Sequence, residues 1–349
     1  MHFESIDFDF NNAGTTKIIA EIGVNHNGDP ELAKRMVDAA VRAGADIIKF
    51  QAFRSEKEIS KFADAAPYQK KATQNNSSQL EMCKALELSP QALRELKAYC
   101  AQIKAPFLCA AFDYDSLDFL IDDLKLETIK IPSSEVTHLP FLEYIGSKKK
   151  AVILSTGASY LSEVALAVET LRQAGCPEML LFHCVSSYPA PGEQANLRAI
   201  VNMKTAFNLP VGFSDHTIGN TVSITAAALG ASAIEKHFTL DRSMPGPDHK
   251  SSIEPDELRR LVDAVRLTAQ SMGDGIKRPV PCEMENLTLI RKGMVASMDL
   301  PKGTQLTKAM VEYKRPAHGV APMDEQKVWG MTLQRPVMAD EPIRWDDLR

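Results

Sequence analysis

The sequence of 349 residues predicts a (β/α)₈ barrel followed by a small, mostly β domain. Eight short apolar runs alternate with amphipathic stretches up to about Met272, as strands and helices alternate in such a barrel. Continuous apolar runs are typical of strands that are buried on both faces in a parallel sheet. After about Arg291 the pattern changes to short β-like runs separated by turn residues, which indicates a second domain.

Most of the eight strand candidates begin about 20–30 residues apart, the length of one βα unit. They are IIAEIG from Ile18, IIKFQ from Ile47, PFLCAAF from Pro106, TIKIPS from Thr128, AVILSTG from Ala151, MLLFHCVS from Met179, PVGFSDHT from Pro210 and AIEKHFTL from Ala233. Asp29-Pro30 and Ser89-Pro90 each combine an N-cap with a first-turn proline and so predict helix starts. An open doubly wound sheet is the alternative, but no glycine-rich phosphate fingerprint follows the first strand.

The predicted organisation is a catalytic barrel over residues 1–280, a linker over 281–290 and a small domain over 291–349. The gap between the second and third strands is about twice the usual length of a βα unit. It holds a polar insertion on the side of the barrel where catalytic loops lie. A β domain of about 60 residues is marginal on its own, so we expect it to pack on something else.

Composition excludes several classes of function. The formal net charge of -5 provides no global positive field for nucleic acid, so anionic ligands would need a local cationic pocket. No apolar run is long enough to span a membrane, and the acidic N-terminus MHFESIDFDF is unlike a signal peptide. The six cysteines form no C-x-x-C pair and several lie in apolar runs. We therefore expect a cytoplasmic protein with reduced thiols that binds neither nucleic acid nor membrane.

Polar side chains recur at the carboxyl ends of the predicted strands, where barrel enzymes build their active sites. Lysine, glutamate and histidine are costly to bury without partners, so their recurrence at one end of several strands predicts a real site. In strand order they are Glu21 and His26 to Asn27; Lys49 and Gln51; Lys130, Ser133, Ser134 and Glu135; Ser155 and Thr156; Ser186, Ser187 and Tyr188; Ser214 to Thr217; and Glu235 to Thr239.

His216 and His237 end neighbouring strands, which lie about 5 Å apart in a sheet. Two imidazoles there could hold one divalent metal ion and leave coordination positions for water and substrate. A pair of hydrogen-bonded histidines in a polar site is the alternative. His183, within LLFHC, is more typical of a core histidine than of a ligand.

Lys49 and Lys130 could hold a phosphate and a carboxylate as point charges. Two alternatives stay open for them: internal salt bridges to Glu21 or Glu135, and a Schiff-base lysine of the kind found in barrel aldolases. Glu21 and Glu135 could act as acid and base, or serve only as partners of these lysines.

Eight motifs in order along the chain resemble the N-acylneuraminate (sialic acid) synthases. They are AEIGVNHNGD from Ala20, GADIIKFQ from Gly44, KIPSSE from Lys130, ILSTG from Ile153, HCVSSYPAP from His183, GFSDHT from Gly212, EKHFTLDRSMPGPDH from Glu235 and KRPAHG from Lys314. The last section, residues 291–349, resembles the antifreeze-like (SAF) domain that ends these synthases.

The resemblance implies a TIM barrel in a homodimer, with each SAF domain over the partner's active site. It implies Mn²⁺ or Mg²⁺ bound by His216 and His237, and Glu21 and Glu135 as carboxylates of the catalytic site. The positions implied to hold phosphoenolpyruvate are Lys49, Lys130, Ser133, Ser155 and Ser214. Ser186 stands where some members carry asparagine and is expected in the same substrate site. The implied sugar contacts are Gln51, Glu135, Tyr188 and Asp248, with Arg315 contributed by the partner.

The implied reaction joins phosphoenolpyruvate to an open-chain N-acetylmannosamine-type sugar and releases phosphate by C–O cleavage, with the metal activating the aldehyde. The sugar is N-acetylmannosamine or 2,4-diacetamido-2,4,6-trideoxymannose, and the product is N-acetylneuraminate or legionaminate. The motifs do not separate these two, although the first motif is unlike that of pseudaminic acid synthases.

Three departures from the family pattern bear on function. Ala110 stands where many members have a threonine that contacts phosphoenolpyruvate, and Asp113 or Ser116 could replace it. Ser134 replaces a common glycine, and the loop from Gln74 to Ser78 should supply a sugar contact. Two other functions therefore stay open, a Schiff-base pyruvate aldolase and a non-catalytic sugar-binding or coat-assembly homologue.

Overall fold

The computed structural model describes residues 16–63 and 78–349, together with the backbone of two short strands near the N-terminus. These are β1 (His2–Phe3) and β2 (Phe8–Asp9), which pair antiparallel. Within the described residues, no helix is both long and apolar enough to cross a membrane.

Eight parallel strands close into a barrel, because the last of them pairs with the first. They are β3 (Lys17–Gly23), β4 (Ile47–Ala52), β5 (Phe107–Ala111), β6 (Thr128–Ile131), β7 (Ala151–Ser155), β8 (Met179–Cys184), β9 (Val211–Asp215) and β10 (Ala233–His237). All eight predicted strands and the predicted barrel class are thus confirmed.

Helices follow the strands around the barrel. They are α1 (Pro30–Arg42), α2 (Ser55–Glu58), α3 (Gln79–Lys84), α4 (Pro90–Gln102), α5 (Tyr114–Asp118), α6 (Leu139–Ser147), α7 (Leu161–Gln173), α8 (Arg198–Phe207), α9 (Thr221–Ala228) and α10 (Pro255–Met272). The Asp29 side chain accepts a hydrogen bond from the Glu31 amide and caps α1, and Ser89 caps α4 in the same way through the Ala92 amide. Both predicted helix starts are confirmed.

Strand residues alternate between the barrel interior and the helix layer, since side chains of a strand point to opposite faces. The interior holds a small apolar cluster, and its members are Ile19, Ile47, Leu108, Ala151, Ile153, Leu180, Phe182 and Ala233. A much larger apolar cluster forms where the opposite strand faces meet the helices. The polar residues that face inward lie beyond the interior cluster, at the carboxyl ends of the strands.

Gly212 in β9 packs closely against neighbouring residues of the barrel. A Cβ atom there would stand 2.5 Å from the Phe182 ring and 2.8 Å from the Ala233 carbonyl oxygen. We therefore expect Gly212→Ala to lower the free energy of unfolding by about 1–3 kcal/mol, as overpacked cores do. Denaturant unfolding measures this, with Gly192→Ala as control, because its Cβ would meet Val222 at an ordinary 3.7 Å. Equal stability of the two variants would contradict the packing argument.

Residues 274–349 form a second compact unit, separate from the unit that ends at Gly273. It contains the short helix α11 (Leu287–Ile290) and two antiparallel strands, β11 (Gly293–Ala296) and β12 (Val311–Lys314). Several 3₁₀ turns and isolated β-bridges make up the rest of its regular structure. Its own apolar core consists of Met294, Ala296, Leu300, Leu306, Val320, Val328, Leu333, Val337, Ile343 and Leu348.

Candidate active site

A cavity of roughly 310 Å³ opens at the carboxyl ends of the barrel strands. Apart from Glu135, every barrel residue that the family resemblance places in the site lines this cavity: Glu21, Lys49, Gln51, Lys130, Ser133, Ser155, Ser186, Tyr188, Ser214, His216, His237 and Asp248. The barrel therefore brings together side chains that lie up to about two hundred residues apart in the sequence.

A buried network of lysines and carboxylates forms the floor of the cavity. The Lys49 ammonium lies 3.1 Å from a Glu21 carboxylate oxygen and donates to Glu235 at 2.9 Å. The Lys130 ammonium donates to the Ser155 hydroxyl at 2.6 Å and lies 3.7 Å from the other Glu235 oxygen. The expected salt bridge from Lys49 to Glu21 is present, whereas the carboxylate beside Lys130 is Glu235 rather than Glu135.

The two carboxylates of this network have pKa values shifted in opposite directions. Burial raises the pKa of Glu21, and the charge of Glu235 adds to this effect while Lys49 opposes it. Burial also disfavours the charge on Glu235, but Lys130 and Lys49 outweigh it and lower its pKa to about 2. Glu235 is therefore the permanent anion of the pair, and Glu21 is the group that more readily takes up a proton.

The two lysines also differ. Burial disfavours the charge on Lys49, but the adjacent charges of Glu21 and Glu235 outweigh it and raise the pKa of Lys49. Burial lowers the pKa of Lys130. Its nearest carboxylate, that of Glu235, lies at 3.7 Å and does not outweigh burial. Both ammonium groups face the cavity, so an anionic ligand there would meet two cations that are already held in place.

His216 and His237 lie side by side, with ring centroids 5.6 Å apart, and the Tyr188 ring contacts both. The His216 Nδ1 donates to the Val185 carbonyl at 2.6 Å, which leaves the lone pair on Nε2. Burial lowers the pKa of His216 to about 4. Burial and the neighbouring His216 ring lower the pKa of His237 well below its ordinary value. Both imidazoles are therefore neutral near pH 7.

A metal ion needs such neutral imidazoles, and His237 offers one unsatisfied atom. Its Nδ1 is buried without a hydrogen-bond partner among the described residues and lies 3.7 Å from Asp248 Oδ2. No group of three or more His, Cys, Asp or Glu side chains in the described ranges has metal-binding geometry. Two histidines would thus fit a cation that takes its other ligands from water and substrate.

Small side chains line the cavity next to Lys130. The Ser133 hydroxyl accepts a hydrogen bond from the Gly157 amide at 2.9 Å and contacts the Cys184 sulfur at 3.3 Å. A Cβ atom on Gly157 would stand 2.2 Å from the Ser186 hydroxyl. Gly157 therefore permits the close approach of Ser133 and Ser186, which are both expected in the substrate site.

Glu135 lies outside the cavity lining, although it is buried directly after β6. Its carboxylate accepts from the Ser134 hydroxyl at 2.8 Å and pairs with the His138 Nδ1 at 2.7 Å. Its predicted contact with the sugar stays a prediction, since local partners already engage the carboxylate.

Asp113 and Ser116, the suggested replacements for the missing threonine at Ala110, are engaged elsewhere, and the replacement stays a prediction. Ala110 lines the cavity, but Asp113 and Ser116 do not. Asp113 instead caps α5 by accepting from the Ser116 amide and hydroxyl, and it also accepts from the Arg54 amide at 2.9 Å. Both side chains are thus engaged in capping α5.

Two further predicted sugar contacts do not belong to the described lining of the cavity. Arg315 follows β12 in the second unit, where it is exposed. The predicted sugar contact at Gln74 to Ser78 lies outside the described residues, except for Ser78, whose side chain caps α3. Both assignments stay predictions.

Sequence reasoning noted Glu235 among the polar strand ends but gave it no role, and it did not single out Gly157. A glutamate within the otherwise apolar run AIEKHFTL was a signal for Glu235, because such a residue must find a cationic partner when buried. Gly157 ends the motif ILSTG, but a need for closely packed hydroxyls becomes visible only in three dimensions.

A closed parallel barrel with two buried lysines and two neutral histidines at its carboxyl end is typical of enzymes that act on anionic substrates. Comparison with known proteins narrows this class. The model of the NeuB family matches residues 36–277, and that of the SAF domain matches residues 291–349. The chain therefore belongs to the NeuB family.

Individual relatives are similar over almost the whole chain. An N,N'-diacetyllegionaminic acid synthase of Campylobacter jejuni is 44% identical, covering 94% of this chain and 99% of its own length. A protein of the same name from Legionella pneumophila is 40% identical, covering 96% and 95%. The crystal structure of an N-acetylneuraminic acid synthetase from Leptospira borgpetersenii is 35% identical, with a TM-score of 0.69 over 78% of this chain and 90% of that one.

Proposed function

We propose that this protein condenses phosphoenolpyruvate with an N-acetylmannosamine-type sugar to give a nonulosonic acid and phosphate. The observation that carries the proposal is that Lys49 and Lys130 both lie on the cavity floor, beside Ser133, Ser155 and Ser214. Phosphoenolpyruvate carries a phosphate and a carboxylate, and two fixed ammonium groups with adjacent hydroxyls suit both. The similarity to legionaminic acid synthases supports the same reaction.

In this reaction C3 of phosphoenolpyruvate attacks the aldehyde carbon of the open-chain sugar. Water then adds at C2, and the C–O bond to phosphate breaks. Lys49, Lys130 and the serine hydroxyls hold the phosphate and carboxylate while negative charge shifts onto the leaving phosphate. Glu21, whose pKa burial raises, can take the proton that the attacking water loses.

We propose that Mn²⁺ or Mg²⁺ binds His216 and His237. Their neutral rings support this assignment, as does the buried Nδ1 of His237, which has no hydrogen-bond partner among the described residues. The cation would supply Lewis-acid polarisation of the sugar aldehyde. Gln51, Tyr188 and Asp248 line the same cavity and would orient the sugar.

The test is release of phosphate from phosphoenolpyruvate by folded, Mn²⁺-loaded protein with candidate mannosamine sugars. We expect release that depends on both the sugar and the metal. Phosphoenolpyruvate labelled with ¹⁸O in the bridging oxygen should yield labelled phosphate, because the C–O bond breaks. Calorimetric binding of sugar without phosphate release would instead support a non-catalytic homologue and contradict the proposal.

A Schiff-base aldolase remains the second candidate, and Lys130 is the residue that favours it. Burial lowers the pKa of Lys130, and imine formation requires an uncharged amine. Borohydride treatment with pyruvate separates the two functions. We expect no covalent adduct, and a trapped adduct with activity that resists chelators would show an aldolase instead.

The proposal includes a cytoplasmic homodimer in which the SAF domain of one subunit covers the partner's cavity. All six cysteines are free, as expected for a reducing compartment. Arg315→Ala is expected to raise the KM for the sugar by about tenfold or more while leaving that for phosphoenolpyruvate nearly unchanged, since a charged hydrogen bond contributes about 1.5–3 kcal/mol. Steady-state kinetics with each substrate varied in turn measures this, and equal effects on both constants would contradict the sugar-facing role.

A further inference from the structure

A buried ion pair lies behind the two histidines of the cavity. The Lys236 ammonium donates to Asp215 Oδ2 at 2.9 Å, and the two side chains are 3% and 0% exposed. Asp215 directly precedes His216, and Lys236 directly precedes His237. Because successive side chains of a strand point to opposite faces, the histidines face the cavity and the ion pair faces the helix layer.

Strand register brings the two charges together. Asp215 and Lys236 are paired residues of the neighbouring strands β9 and β10. Each member of the pair is therefore only one peptide unit away from one of the histidines. A change in the geometry of the ion pair would be transmitted to both imidazoles through the backbone.

The ion pair also holds the backbone that follows His216. Asp215 Oδ1 accepts from the Thr217 amide at 2.8 Å, and the Lys236 ammonium donates to the Thr217 carbonyl at 2.7 Å. The Thr217 side chain does not share in this anchoring, since its buried hydroxyl has no hydrogen-bond partner among the described residues. The two charges thus fix both peptide groups of the residue next to His216.

Other contacts complete the support around His216. The Ser223 hydroxyl of α9 donates to Asp215 and ties the ion pair to the helix layer. The Val185 carbonyl accepts from the His216 ring at 2.6 Å, and the Ala190 amide donates to the His216 carbonyl at 2.9 Å. These contacts come from β8, from the segment after it and from α9, whereas Lys236 supplies the anchor from the strand that carries the second histidine.

Stability alone does not account for a charged pair at this position. Burying two charges costs several kcal/mol per ion, and well-packed apolar residues of similar volume are often equally stable or more stable. An apolar pair has no donor or acceptor, however, so it could not hold the peptide groups of Thr217. The property that distinguishes the ion pair from an apolar pair is directional control of the backbone beside His216.

Resting on the proposed function, we propose that Asp215 and Lys236 are positioning residues that set the relative placement of His216 and His237 for metal binding. The two imidazole centroids lie 5.6 Å apart. A cation held by two protein ligands depends on their placement, because the described residues provide no larger cluster of ligands to compensate for a displaced ring. Groups that orient metal ligands commonly contribute about tenfold to hundredfold in metal affinity.

The experiment separates positioning from stability with a single and a double variant. Lys236→Met removes both hydrogen bonds of the ammonium and leaves the Asp215 charge buried, so it should lower both the Tm and the Mn²⁺ affinity. The double variant Asp215→Leu/Lys236→Met replaces the pair with apolar side chains and should recover most of the lost Tm. Its Mn²⁺ affinity should stay about tenfold to hundredfold below that of the wild type, because the Thr217 peptide groups remain unheld.

Two measurements besides the Tm read the outcome. Calorimetric titration of the metal-free protein with Mn²⁺ gives the affinity without any need for turnover. In assays of phosphate release, the Mn²⁺ concentration that gives half-maximal activity should rise in the double variant by about the factor by which the affinity falls.

Arg266→Met is the matched control, because it breaks a partly buried ion pair at the opposite end of the barrel. Arg266 pairs with Asp46, just before β4, and donates to the Thr16 carbonyl, just before β3. This substitution should lower the Tm but leave the Mn²⁺ affinity at the wild-type value.

The outcomes distinguish this inference from the function on which it rests. If the wild-type protein binds no Mn²⁺, the metal assignment itself is wrong and the inference fails with it. If the wild type binds Mn²⁺ and the double variant binds it equally tightly, only the positioning role is wrong. An Arg266→Met variant that loses as much Mn²⁺ affinity as the double variant would also overturn the inference, since general destabilisation would then explain the loss.

Discussion

Replacing His237 with alanine is expected to reduce metal-dependent turnover by at least about a hundredfold, because a Lewis acid contributes several kcal/mol to such a step. The His237 ring is buried, uncharged near pH 7 and adjacent to His216, and its Nδ1 has no partner among the described residues. His216→Ala should have the same effect. Calorimetric titration with Mn²⁺ should show binding to the wild type and strongly weakened binding to both variants.

His183 supplies the matched control for these histidines. It lies one strand away, outside the cavity lining, and its Nε2 pairs with the Ala195 carbonyl at 2.8 Å. His183→Gln removes an imidazole but can keep that hydrogen bond, so Mn²⁺ binding and turnover should stay near the wild-type values. Wild-type Mn²⁺ affinity in His237→Ala or His216→Ala would show that the metal ligands have been assigned wrongly.

Replacing Glu235 with glutamine is expected to lower the free energy of unfolding by about 3–5 kcal/mol, the usual cost of breaking a buried ion pair from one side. Glu235 is 3% exposed and lies between two ammonium groups that are equally buried. Without its charge, Lys49 retains Glu21 as its anion, but Lys130 retains only the Ser155 hydroxyl as a hydrogen-bond partner among the described residues. Denaturant unfolding at pH 7 measures the loss.

The effect of phosphoenolpyruvate on the Tm gives a second measurement for the Glu235→Gln variant. An anion bound by Lys49 and Lys130 replaces the missing carboxylate, so saturating phosphoenolpyruvate should raise the Tm of Glu235→Gln more than that of the wild type. Glu31→Gln is the control, because Glu31 is exposed and pairs with Lys34 at the surface. That change should cost less than about 1 kcal/mol. Similar losses for Glu31→Gln and Glu235→Gln would contradict a buried ionic network.

The barrel itself could be predicted from local sequence because each of its units carries its own signals. A buried parallel strand needs a continuous apolar run, as in AVILS of β7, and a helix start needs a cap such as Asp29 followed by Pro30. These signals depend on neighbours within a few residues. The eight strands and the helix starts at Pro30 and Pro90 follow from them.

The membership of the cavity could be predicted for a similar reason. The carboxyl ends of parallel strands meet on one face of a barrel, so polar residues at those ends must converge wherever each strand lies in the sequence. Lys49, Lys130, Ser155 and His237 were placed in this way, and all four line the cavity. Glu135 does not line the cavity, and its carboxylate is engaged by Ser134 and His138 instead.

The partners within the cavity were decided only by the tertiary structure. Closure of the barrel pairs β10 with β3 and places His237 in register with Glu21, while the pairing of β3 with β4 places Lys49 in register with Glu21. Glu235 then lies within reach of Lys49 and Lys130. The contacts of Glu235 with Lys49 and Lys130 join residues more than a hundred positions apart, and sequence spacing carries no information about them.

The sequence by itself thus determined a barrel with two lysines, two histidines and several hydroxyls at its carboxyl end. The tertiary structure decided which carboxylate lies beside Lys130. It also decided that Asp113 caps a helix. The physical reason is that strand and helix formation depend on local patterns, whereas charge pairing depends on strand register and closure.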